Sequence, residues 1–133
     1  MERYHVKLIR EPINPFDIVE ELRKIIEGSN GSFIVYIGVV KELLDDKKVK
    51  ALMFVGDEAE VLEKMKEIIE EERREGVNAI HVYHRIGLLT PRDTIMYIIV
   101  GADTRDLAFT TARNILERIK RELPLLKRNL FEG

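Results

Sequence analysis

Two largely apolar runs, Ala79 to Leu89 and Thr94 to Gly101, lie only four residues apart, and they constrain the fold more than any other feature of this chain. Both are rich in the β-branched and aromatic residues that suit a pleated surface. The intervening Thr90-Pro91-Arg92-Asp93 has turn chemistry, so the pair reads as two strands joined by a turn. The remaining elements must be arranged around them. Tyr4 to Ile9 alternates as a short strand. Asn14-Pro15-Phe16-Asp17 then supplies a helix cap, a first-turn proline and an early acid. That helix is expected to run to about Glu27, with Phe16, Val19, Leu22 and Ile26 at helical spacing, until Gly28-Ser29-Asn30-Gly31 stops it. The glycine loop follows a helix and lacks a P-loop lysine, so it is not a phosphate cradle.

Phe33 to Val40 and Val49 to Val55 are two more strand-like runs, separated by the charged stretch Lys41 to Lys48 and expected to pair as a hairpin or lie side by side. Glu58 to Glu75 is an amphipathic helix ended by Gly76, and its Glu70-Glu71-Glu72 reads as a solvated face. A third helix, Arg105 to about Glu122, buries Leu107, Ala108, Thr111, Ala112, Ile115, Leu116 and Ile119 and ends before Pro124. The resulting order, β-α-β-β-α-β-β-α, predicts an α+β fold, a single domain over residues 1–133 with a mixed, largely antiparallel sheet.

Composition narrows the function classes. The 133 residues are 45% hydrophobic, enough for one compact core. Lys and Arg total 22 against 24 Asp and Glu, a net charge of -2, which argues against nucleic-acid binding by bulk charge. There is no cysteine, and therefore no disulfide, thiol nucleophile or thiolate metal site. No apolar run approaches the roughly 20 residues needed to span a bilayer. Met1 to Arg10 lacks the apolar core of a secretory signal, so a soluble, cytoplasmic protein is expected.

Several residues invite chemistry. His81 and His84 stand three apart on a strand and point to opposite faces, so a shared metal ion is not expected. The segment His84-Arg85-Ile86-Gly87 places a basic pair inside an apolar strand, where pairing of the arginine with a carboxylate is the ordinary expectation. Asp103-Thr104-Arg105 lies where a strand hands over to a helix, so free amides and the arginine can receive a phosphate; simple capping is the alternative. Lys120 sits near the end of that helix and Lys127 beyond Pro124, with Arg118, Arg121 and Arg128 nearby. Ordinary capping of the helix carbonyl end explains the cations of its last turn. A cationic cluster that disfavours protonating every member would instead make one lysine a nucleophile or base.

Taken in series, Tyr36-Ile37-Gly38-Val39-Val40-Lys41, His84-Arg85-Ile86-Gly87, Thr104-Arg105 followed by Ala108-Phe109, and Lys120 through Pro124 to Lys127-Arg128 resemble the large, catalytic subunit of molybdopterin synthase. The order and spacing match over nearly the whole chain. The resemblance implies an α/β hammerhead-like fold and a sulfur transfer that converts a cyclic pyranopterin monophosphate to the dithiolene of molybdopterin. It further implies a small ubiquitin-like carrier whose C-terminal Gly-Gly thiocarboxylate donates the sulfur, a central homodimer of large subunits, and no cofactor or metal for the chemistry. Carried over by position, Lys120 is the essential lysine at the carrier tail, Lys127 the second lysine, and Arg105 the holder of substrate phosphate. Thr104, Val39, Val40, Lys41, Arg128 and Asn129 are substrate contacts on the same basis. The chain departs from the family's pattern at Thr104, usually histidine, at Lys41, usually arginine, at Leu126, usually tryptophan, and at Asn129, usually an acid. Gly56-Asp57-Glu58-Ala59 lacks the usual tyrosine-proline-methionine character, and many relatives continue past Gly133. A carrier-docking scaffold without turnover and a small-ligand regulatory module are the competing readings.

Overall fold

The computed structural model describes residues 1–133. In chain order its elements are β1 (Tyr4–Ile9), α1 (Pro15–Ile25), β2 (Ser32–Val39), β3 (Leu43–Leu44), β4 (Lys47–Val55), α2 (Glu58–Glu72), β5 (Val77–Arg85), β6 (Gly87–Leu89), β7 (Thr94–Ala102), α3 (Arg105–Glu122) and β8 (Leu126–Phe131). The α+β class and the mixed, mainly antiparallel pairing agree with the sequence reading. The strands divide into two sheets, however, where one was expected. In the four-stranded sheet, ordered β1-β5-β7-β2, only β1 and β5 run parallel. In the smaller sheet β4 pairs with β3, β6 and β8.

The two apolar runs occupy the centre of the large sheet, as β5 and β7, and almost every residue along both is buried. Helices α2 and α3 cover one face, where Val61, Met65 and Ile68 meet Ile80, Ile98 and Ile115. On the other face Leu22 of α1 packs against Ala79 and Ile99, and Ile9, Tyr83 and Tyr97 form a neighbouring cluster. Each helix begins on a side chain that accepts a backbone N–H: Asn14 from Phe16, Asp57 from Glu60, and Thr104 from Leu107 at 3.0, 3.0 and 3.2 Å. Such a cap contributes about 1 kcal/mol. No helix is long and apolar enough to cross a membrane.

Three expectations are corrected. The runs that became β2 and β4 are not partners, because β2 pairs with β7 while β4 belongs to the second sheet. The charged stretch between them holds β3 and a tight turn in which Asp45 and Asp46 both have positive φ, 51° and 65°. Aspartate tolerates that conformation, and two such residues in a row give the twist a short hairpin needs. Second, the run ending at Leu89 breaks into β5 and β6 at Gly87, where φ is 91° and a Cβ would meet no atom within 4 Å. Conformation and not space calls for glycine there. It turns the chain out of the large sheet to pair Leu88 with Met53. Third, the segment after Pro124 forms β8 along β4.

A close approach holds that last strand in place. A Cβ on Gly56 would lie 2.6 Å from the carbonyl oxygen of Pro124, so only glycine lets the β4–α2 turn touch the link between α3 and β8.

Candidate functional site

The second sheet bends back over the end of the large one and encloses a cavity of about 450 Å³ between them. Its floor is apolar. Val49, Leu52 and Phe54 of β4 form it with Ile95 and Met96 of β7, Ile119 of α3, and Leu125. A bulge between Val49 and Ala51 sets which residues of β4 face inward, so Leu52 and Phe54 point into the cavity and Met53 and Val55 point away.

Three lysines enter this apolar chamber from three separate elements: Lys41 after β2, Lys120 in the last turn of α3 and Lys127 in β8. None of the three pairs with a carboxylate, and no aspartate or glutamate lines the cavity. A concave, low-polarity wall carrying unpaired cations focuses a positive field and favours an anionic ligand. Val39, Val40 and Asn129 also line it. Five of the nine residues carried over from the resemblance therefore join Lys120 around one space as Lys41, Val39, Val40, Lys127 and Asn129.

The other three lie elsewhere. Arg128 follows Lys127 on a strand, and period-two alternation sends it to the outer face, beside Met53. Thr104 and Arg105 sit at the opposite end of α3 from Lys120, about 22 Å away at 1.5 Å per residue. There Thr104 caps the helix through its hydroxyl, and the Arg105 side chain is exposed. A single chain does not bring Arg105 to the lysines.

The surrounding arginines do not form the expected cluster either. Arg118 points to α2, where it reaches Glu71 and Glu72 as well as Glu122, at 2.8, 3.2 and 2.8 Å. Those carboxylates hold its guanidinium firmly protonated, and Glu122 sits below the usual carboxylate range for the same reason. Arg121 also pairs with Glu122. The positive charge of the cavity thus belongs to lysines alone.

Two histidines are resolved by their surroundings. His81 and His84 do face opposite sides of β5. His81 is buried, its Nε2 donating to the Glu2 carbonyl at 2.7 Å and its Nδ1 accepting from the Tyr83 hydroxyl at 2.9 Å. His84 lines the cavity, as does Tyr36, and the sequence reading placed neither among the site residues. Alternation along β5 puts His84 on the face of Ile80 and Val82, but only the fold of β4 over that face creates the cavity there. Arg85, on the reverse face, finds no carboxylate. Its Nη1 donates to the Thr94 carbonyl and hydroxyl at 3.4 and 3.5 Å, and its Nε has no partner.

Residues 9–122 match the model of the family described as MoaE protein. The chain belongs to that family. Lys127 and Asn129 fall just past the matched segment. Among curated relatives, a molybdopterin synthase catalytic subunit of Drosophila persimilis is 28% identical over 131 residues, 97% of this chain and 36% of its own length. The chain thus spans about a third of the length of that relative. A molybdopterin synthase catalytic subunit of Pyrococcus abyssi is 26% identical, over 99% of this chain and 89% of the relative. The crystal structure of molybdopterin synthase from Staphylococcus aureus superimposes with a TM-score of 0.83 at 24% identity, covering 100% of this chain and 94% of that one. A complex of subunits 1 and 2 of the molybdopterin-converting factor from Helicobacter pylori gives 0.76 at 20%, covering 96% and 85%. At these identities the two structures speak to the fold.

Proposed function

We propose that this chain is the catalytic subunit of a molybdopterin synthase, transferring sulfur from a thiocarboxylated ubiquitin-like carrier to a cyclic pyranopterin monophosphate in molybdenum or tungsten cofactor biosynthesis. One observation carries the reading: Lys120 and Lys127, on the consecutive elements α3 and β8, open with Lys41 from beyond β2 into one carboxylate-free cavity. The chemistry suits it. A phosphorylated pterin, a thiocarboxylate and the charge that develops during acyl transfer are all anionic, and preorganised cations in a low-polarity site stabilise charge where it forms. In this reading Lys120 meets the carrier's terminal carbonyl, Lys127 and Lys41 hold the substrate anion, and Val39, Val40 and Asn129 shape the wall beside them. A cytoplasmic location belongs to the same reading.

Arg105 enters through a homodimer. Arg105, Phe109, Leu116 and Lys120 lie on one stripe of α3, and Phe109 is 58% exposed. Two such stripes packed antiparallel about a two-fold axis near the helix centre set the Arg105 end of each against the Lys120 end of the other. Phosphate held by one copy's arginine would then reach the other's lysines, and Thr104 would accompany it while still capping its helix.

The test is product formation from thiocarboxylated carrier and pterin precursor. Lys120→Ala is expected to abolish it in a protein that still folds; an intact protein that binds carrier and makes no product would favour a docking scaffold. A mixed dimer of one Lys120→Ala and one Arg105→Ala chain contains one undamaged site if the arginine acts across the interface, and about half the activity is expected. No recovery would place the arginine's role within its own chain.

A further inference from the structure

His84 stands apart from the cations around it. Its Nδ1 lies 2.6 Å from the Arg85 carbonyl, which can only accept, so Nδ1 carries the hydrogen and Nε2 the lone pair. The ring is fixed from the other side by Phe54, edge to face at 5.0 Å between centroids. Nε2 has no partner in the protein. It is not sealed off either, since the only buried side-chain nitrogen or oxygen atoms without partners are Arg85 Nε and Thr111 Oγ1. The lone pair is left facing the cavity that His84 lines.

We infer that His84 is a further catalytic residue of this cavity, the proton acceptor for the water that frees the sulfur carrier from the product. The inference rests on the sulfur-transfer reading. A thiocarboxylate whose sulfur displaces an oxygen group from the substrate carbon, that group departing with the C–O electron pair, leaves its sulfur bonded both to that carbon and to the carrier's acyl carbon, and release requires water. Water's oxygen bonds to the acyl carbon, and the C–S bond breaks with its electron pair departing on the product's sulfur. One water proton passes to His84 Nε2; the other leaves the new carboxylic acid for solvent.

The surroundings equip His84 for that step. The groups facing it across the cavity are Tyr36 of β2, Lys41, Lys120 of α3 and Lys127 of β8, all of them hydrogen-bond donors, with no carboxylate among them. The Arg85 guanidinium lies behind on the reverse face of β5. Burial holds the imidazole below its usual range, so it is neutral and available at pH 7.

The experiment compares wild type with His84→Gln in single-turnover reactions with carrier and pterin phosphate. Wild type should show an acid limb in kcat/KM that lies below the ordinary imidazole range. His84→Gln should lose that limb together with about 10²- to 10⁴-fold in rate. Intact-mass spectrometry should then detect the carrier–substrate thioester accumulating, which a merely structural defect would not produce. Unchanged rate, pH profile and adduct level in His84→Gln overturn the inference while leaving sulfur transfer standing; a wild type that makes neither product nor adduct defeats both. Ring-nitrogen NMR on the wild-type protein is independent of folding by any variant: the Nδ1–H tautomer is expected, and an Nε2–H tautomer sinks the idea.

Discussion

The two sheets bury their residues in opposite ways. The large sheet is covered on both faces, with β5 and β7 sealed between α2 and α3 on one side and α1 on the other. The small sheet has one covered face. Inward, Val49, Leu52 and Phe54 line the cavity; outward, Val55, Leu88, Leu126 and Leu130 remain 44 to 61% exposed. Close packing from both sides leaves no room for a ligand. A one-sided sheet leaning over the end of a rigid one leaves a cavity whose floor is preorganised and whose wall carries the lysines. Stability and function are therefore expected to separate along this boundary.

That separation is open to attack at several points. The largest effect is expected from Lys120→Ala, with turnover reduced by about 10²-fold or more and the urea midpoint nearly unchanged, because an exposed side chain without an ion pair is removed. A stability loss comparable to that of a core variant would show that the lysine is structural. Next is Ile98→Ala in β7, fully buried beneath α3, which should destabilise the fold by about 2–5 kcal/mol in urea titrations and leave the folded fraction active. Thr104→Ala removes a cap and should cost about 0.5–2 kcal/mol; a raised KM for the pterin phosphate beyond that loss would give the hydroxyl a second duty.

The pH response follows in size. Burial lowers both His81 and His84 below the unfolded imidazole value of about 6.5. The unfolded chain then binds more protons than the folded one as pH drops through that range, so stability is complete above about 6.5 and declines below it. Urea midpoints at pH 7.5 and 5.5 should show the decline, and His81→Gln should lessen it. Smallest is Leu126→Ser on the outer face of the small sheet, expected to change monomer stability by no more than about 0.5 kcal/mol. A larger effect would mean that this face is covered in solution.

Much of this arrangement was legible in the residues. Asn14 and Thr104 announce their helices because a cap is a local bond, made within three residues. The span of α3 is written in its residues, since its buried positions recur at helical spacing and Pro124 follows its end. Pairing was less legible. β2 and β4 are adjacent along the chain and would have made a plausible hairpin, yet each found a partner far away, because the Asp45-Asp46 turn gives β4 its own short neighbour. The role of Gly87 was hidden for a related reason: a lone glycine in an apolar run signals freedom, and only the second sheet shows where that freedom leads the chain.

The site divides along the same line. Sequence alone determined the local chemistry: where the three helices and the strands β1, β2, β4, β5 and β7 lie, and that no thiol is present. These depend on each residue and its near neighbours. Tertiary structure decided which lysines meet and that His84 joins them with a bare nitrogen. Those facts depend on β4 folding across the end of the large sheet, which brings together residues tens of positions apart, and no periodicity within one strand or helix encodes a meeting at that range.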